Sequence, residues 1–172
     1  MRWLRFLIVL LICTLLNAGN LLNTVSVSSF NIRPDLLLIL LVFVASNCET
    51  SDAIIAAFIV GFAADISGSA IGPFTVGFGV VGSMISQLRK VVIMKRMVHQ
   101  ASAIFVTGLI AGTLVQFLAF FKTGQTPSNV YVVLIGSCLY SAVIGPVIWV
   151  SLSAVSGWLG VRKHRFGRFA GR

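Results

Sequence analysis

From Trp3 to about Leu159 the sequence is a train of apolar runs broken by short polar or glycine-rich stretches. The runs cover Trp3 to about Ala18, Leu36 to Ser46, Ala53 to Ala64, Pro73 to about Leu88, about Val98 to Phe121, and Val130 to about Leu159. No water-soluble globule absorbs so much apolar chain. Charged residues make up only 10%, against roughly 25% in soluble domains, so there is too little polar surface to coat one. The pattern predicts an all-α integral membrane protein, a compact bundle of about six transmembrane helices in a single polytopic domain over residues 1–172, with a basic cytoplasmic tail over 160–172.

The spans differ in length. The second and third runs fall short of the ~20 residues that cross a ~30 Å hydrocarbon layer, so they form a hairpin of short crossings or one partly re-entrant unit, joined by the polar turn Asn47 to Asp52. Pro34 is placed in the first turn of the second helix, and Asp35 beside it complements the positive end of the helix dipole. Pro73 opens the fourth helix after a Gly/Ser turn. The sixth run is longer than the bilayer is thick, and Gly145-Pro146 marks a kink near its middle. Arg2, Arg5 and the apolar run after them also have the form of a signal peptide. Retention as a first span is the simpler account, because the rest of the chain is itself membrane-embedded.

Orientation follows from the basic residues. With six spans and the N-terminus inside, the cytoplasmic segments hold Arg2, Arg5, Arg89, Lys90, Lys95, Arg96, Arg162, Lys163, Arg165, Arg168 and Arg172, and only Arg33 and Lys122 of the 13 Lys and Arg lie outside. That asymmetry places both termini in the cytoplasm. Arg89, Lys90, Lys95 and Arg96, and Arg162, Lys163, Arg165 and Arg168 in the tail, are candidate contacts to anionic lipid or to cytoplasmic partners. Neither segment reads as a nucleic-acid interface.

Few residues are available for chemistry. The four acids are Asp35, Glu49, Asp52 and Asp65, so no carboxylate follows Asp65. Cys13, Cys48 and Cys138 are odd in number and sit within apolar runs, which argues for packing over disulfides or metal binding. His99 and His164 lack companions that would make a metal or acid-base site. Gly77-Phe78-Gly79-Val80-Val81-Gly82 has the spacing of a dinucleotide fingerprint but lacks the acid that follows such a motif. Gly77, Gly79 and Gly82, like Gly108 and Gly112, are read as positions of close helix approach. No catalytic, metal or cofactor site is expected.

Asp65 is the exception. It ends an apolar run, where the dipole of its own helix opposes a carboxylate and membrane depth makes charge costly. Either it caps the following turn through the amides of Ser67, Gly68 or Ser69, or it meets Arg33 or a partner protein.

Arg33-Pro34-Asp35-Leu36-Leu37-Leu38, followed by Gly61-Phe62, Asp65, Gly68-Ser69 and Gly72, resembles the core signature of the bacterial rod shape-determining MreD family. The short first span and basic C-terminus are similar too. One departure is Ala63-Ala64, where the family often has an aliphatic pair. The resemblance implies a non-enzymatic inner-membrane scaffold of the cell-elongation complex, without a cofactor, coupling the cytoskeletal filament to lateral peptidoglycan synthesis. It also implies as partners an MreC-type protein, a RodA-type glycosyltransferase, a transpeptidase and the MreB filament. Arg33, Pro34, Asp35, Gly61, Asp65, Gly68, Gly72 and Pro73 would then be the structural or partner-binding motif. A rival from another class is the substrate-binding membrane subunit of a vitamin-type uptake transporter, which would gather Asn17, Asn20, Asp65, Gln87 and Gln116 around one pocket.

Overall fold

The computed structural model of the chain describes residues 2–18, 34–68, 72–88, 97–124 and 130–159. These form α1 (Trp3–Ala18), α2 (Leu36–Asn47), α3 (Thr50–Ser67), α4 (Pro73–Leu88), α5 (Met97–Thr123) and α6 (Val130–Leu159). The fold is the expected all-α membrane bundle.

Its plan is a ring around an axle. α1 packs on α3 and α6, α3 on α4, α4 on α5, and α5 on α6, while α2 touches all five. The sequence of α2, LLLILLVFVASN, explains its place. Nearly every position is apolar, so it has no polar side to turn outward, and Leu37 through Ala45 are all buried. At 1.5 Å per residue it is about 18 Å long, well short of the bilayer core. Its short length goes with enclosure among the other helices.

A short helix in apolar surroundings must satisfy its own ends, because an unpaired backbone group there costs several kcal/mol. At the start, the Leu37 and Leu38 amides donate to the Asp35 carboxylate at 3.0 and 3.1 Å. At the end, the Cys48 amide donates to the Val44 carbonyl, Ser46 to that of Val42, and the Asn47 side chain to that of Phe43. Phe43 also meets Trp149 of α6 edge to face, 5.1 Å between centroids.

α3, α5 and α6 contain the segments long and apolar enough to cross a membrane, Thr50–Ser67, Val98–Lys122 and Tyr131–Ala154. The ring's outer faces are apolar as well. Ile55, Phe58, Phe62 and Ile66 form an exposed stripe on α3, and Leu139, Val143, Val147 and Val150 another on α6. Such stripes are suited to lipid, and the chain is a membrane protein.

The element boundaries differ from the expectation mainly at α2 and α3, and α5 also runs two residues past Phe121, to Thr123. α3 is six residues longer than the apolar run Ala53 to Ala64: Thr50, Ser51 and Asp52 join its first turn, where an acid suits the dipole, and Asp65, Ile66 and Ser67 extend its end. The turn between α2 and α3 thereby shrinks to Cys48 and Glu49. α2 begins at Leu36, so Asp35 is its N-cap and Pro34 precedes the cap rather than lying within the first turn.

Candidate functional site

The two motif acids lie at the same end of the bundle. α2 and α3 form a hairpin, so the start of α2, the end of α3 and the start of α4 come together. A cavity of about 260 Å3 there is lined in part by Asn17, Pro34, Asp35, Gly68, Phe74 and Ser137.

Asp65 is fully buried. One carboxylate oxygen accepts the Phe74 amide at 3.0 Å, and the other accepts the Thr75 amide at 2.8 Å together with the Thr75 hydroxyl. It is therefore a cap, but on the opposite side of the turn from the expected one. In place of the expected acceptance from Ser67 or Gly68, Asp65 accepts from the first turn of α4, and Ser69 lies outside the described residues. There the helix presents unpaired amides and the positive end of its dipole, which offset the unfavourable dipole of α3. Arg33 lies outside the described residues.

Gly61 stands one turn before Asp65 on the same face of α3. A Cβ there would fall 2.6 Å from the Phe74 carbonyl oxygen and 2.7 Å from the Thr75 Cα. Since both are backbone atoms, only glycine lets the start of α4 come close enough for Asp65 to cap it. Ala57, one turn earlier again, abuts Gly82 of α4. Gly72 has φ +119, in the region that favours glycine. Pro73 follows as the first residue of α4, where its missing amide hydrogen removes no helical bond. Gly68 ends α3, with its amide on the Asp65 carbonyl.

The Asp35 backbone amide donates to the Ser141 hydroxyl of α6 at 2.8 Å. Ser141 is fully buried. One acid thus fixes α2 to α6 and the other fixes α3 to α4. Among the helix glycines, a Cβ on Gly77 would lie 2.7 Å from Val115 of α5, and one on Gly79 would enter the Phe58 ring. A Cβ on Gly108 would lie 2.8 Å from Leu38 and 2.9 Å from the Cys138 sulfur, and one on Gly112 2.6 Å from Leu134.

Other expected residues are not drawn together. Arg89, Lys90, Lys95, Arg96, Arg162, Lys163, Arg165 and Arg168 lie outside the described residues, so no lipid or cytoplasmic contact of theirs is described. Of the transporter-type set, Asn17 borders the 260 Å3 cavity and Gln116 a larger one. Asp65 is occupied as a cap, Gln87 is exposed at the far end of α4, and Asn20 is outside the described residues. Among the described residues no group of three His, Cys, Asp or Glu could hold a metal ion.

The model of the rod shape-determining protein MreD family matches residues 1–154. The chain belongs to that family. The match covers the whole acid-and-glycine motif and leaves out the tail beyond residue 154. No curated protein and no solved structure matches the chain. Membership in the MreD family supports a role in rod-shape determination, and with it an association with the rod-shape complex in general terms.

Thr75 and Ser141 are the structural partners that motif reading misses. Thr75 carries no signal of its own, being an ordinary hydroxyl near a helix start. Ser141 had one available: it is a polar residue inside an apolar span, and such residues commonly bond across helices.

Proposed function

We propose that this MreD-family chain is a non-enzymatic scaffold in the bacterial inner membrane, with both termini in the cytoplasm. It would hold an MreC-type partner, and through it a RodA-type glycosyltransferase, a transpeptidase and the MreB filament, so that filament position is coupled to lateral peptidoglycan synthesis. The observation that carries this reading is the use made of Asp35 and Asp65. Both are engaged in capping helices, and a carboxylate so engaged serves rigidity rather than proton transfer. A rigid ring with apolar outer faces suits a protein whose work is to be packed against.

The test is replacement of the native gene by Asp65→Asn and by Phe62→Ala, the latter an exposed residue of the α3 outer stripe. A scaffold predicts that Phe62→Ala keeps normal membrane abundance while reducing co-purification of the MreC-type protein and widening cells. Normal co-purification and width for outer-stripe variants on every helix of the ring would overturn it.

A further inference from the structure

A second cavity, of about 470 Å3, lies among α2, α4, α5 and α6. Most of its lining is apolar, including Leu38, Phe78, Ala111, Val115 and Leu134. The polar groups on it are those of Asp35, Gln116, Ser137 and Ser141.

Three of these four have unused bonding capacity among the described residues. The amides of Leu37 and Leu38 both go to the Oδ1 atom of Asp35, leaving Oδ2 without a donor. The Ser141 hydroxyl oxygen accepts from the Asp35 amide, but its proton meets no acceptor. It thereby departs from Ser137, whose hydroxyl donates back to the Val133 carbonyl. The Gln116 amide bonds no described residue. The site thus offers one carboxyl acceptor with a spare oxygen and two sets of neutral donors at an apolar cavity.

Such a constellation selects its occupant by chemistry. A carboxylate with a spare oxygen at membrane depth calls for a positive partner, and no Lys or Arg lines the cavity among the described residues. A ligand that carries its own positive charge suits this lining, and it also needs acceptor oxygens for Ser141 and Gln116 and hydrocarbon for the rest. The volume is within the ~300–1,000 Å3 range of small-ligand sites. A partner helix about 10 Å across would fill it in about one turn. We propose that the cavity binds one phospholipid with a primary-ammonium head group. The ammonium donates to Asp35, the phosphate or ester oxygens accept from Ser141 and Gln116, and an acyl chain lies along Leu38, Phe78, Val115 and Leu134. The ring would then have a lipid built into the end that carries both family acids.

The experiment is native mass spectrometry of the full chain with equal amounts of phosphatidylethanolamine, phosphatidylcholine and phosphatidylglycerol of identical acyl chains. Only the first carries a primary ammonium. The expected result is one retained phosphatidylethanolamine, favoured about tenfold over the other two, as a charge-assisted hydrogen bond implies. Asp35→Asn keeps a good N-cap and should lose that preference at unchanged thermal stability, and Gln116→Leu should weaken retention of all three lipids. Equal retention of the three by the unmodified chain overturns the proposal, as does an undiminished preference in Asp35→Asn. If Asp35→Asn proves unstable, the comparison among lipids on the unmodified chain still decides. Displacement of the lipid by free ethanolamine at equal concentration would overturn the lipid assignment in favour of a soluble amine.

Discussion

Asp65 holds Thr75 twice, through the backbone amide at 2.8 Å and through the side-chain hydroxyl. Both residues lie where α3 and α4 meet, so the pair works as a clasp on the hairpin. Charge-assisted hydrogen bonds in a buried setting contribute about 1.5–3 kcal/mol each. Asp65→Ala and Thr75→Val should therefore each lower the melting temperature of the detergent-purified protein, Asp65→Ala more, because it also orphans the Phe74 amide. The double variant should lose less than the sum, since the two act through one interaction. Strict additivity in the double-mutant cycle would show that the clasp is not a coupled unit.

Gly61 and Gly68 are both motif glycines on α3, yet they should respond differently. Gly61→Ala drives a methyl group into the α4 backbone at 2.6–2.7 Å, and overpacking against atoms that cannot rotate away costs about 1–3 kcal/mol or more. At exposed Gly68 the nearest approach is 3.3 Å, to the Ala64 carbonyl oxygen, and the backbone has no positive φ. Gly68→Ala should accumulate normally in membranes, while Gly61→Ala should be depleted. Equal abundance by immunoblot would mean that α4 can retreat from α3 without penalty.

Asp35 separates capping from charge. Asp35→Ala removes the acceptor for two amides and should destabilise the protein by about 0.5–2 kcal/mol, whereas Asp35→Asn should be nearly silent in thermal unfolding. Ser141→Ala deprives the Asp35 amide of its partner across to α6, with an expected loss of about 1–3 kcal/mol for a buried donor left unpaired. If Asp35→Asn and Asp35→Ala unfold alike, the cap is not what positions α2.

These residues also mark where the sequence was informative. The extent of α6 follows closely from its apolar run, because a long span between polar stretches has little freedom in register. α2 is a different case. Its all-round apolarity signalled complete burial, but apolar periodicity does not distinguish a surround of lipid from a surround of protein, so its position as the axle was visible only in the fold. The Asp65 partner was hidden for another reason. Reading along the chain weighs a carboxylate against the dipole of its own helix, while the decisive dipole belongs to α4, across a turn of glycines. Thr75, ten residues away, has nothing in its neighbourhood to announce that role.

Orientation supplies the last prediction. The acid-bearing end of the bundle, with Asp35, Asp65 and both cavities, is assigned to the outer face by the same count that places the basic segments inside. Single cysteines at Ser128 and Arg168, in a chain with Cys13, Cys48 and Cys138 replaced, test the assignment without relying on the fold, because both positions lie outside the described residues. A membrane-impermeant maleimide should label the cysteine at 128 in intact cells and the one at 168 only after permeabilisation. Since α6 runs as one helix of 30 residues through Pro146, about 45 Å at 1.5 Å per residue, its two ends cannot share a membrane face unless the helix lies flat. Labelling of both sites from outside would require that, and would remove both the cytoplasmic C-terminus and the outward placement of the acids.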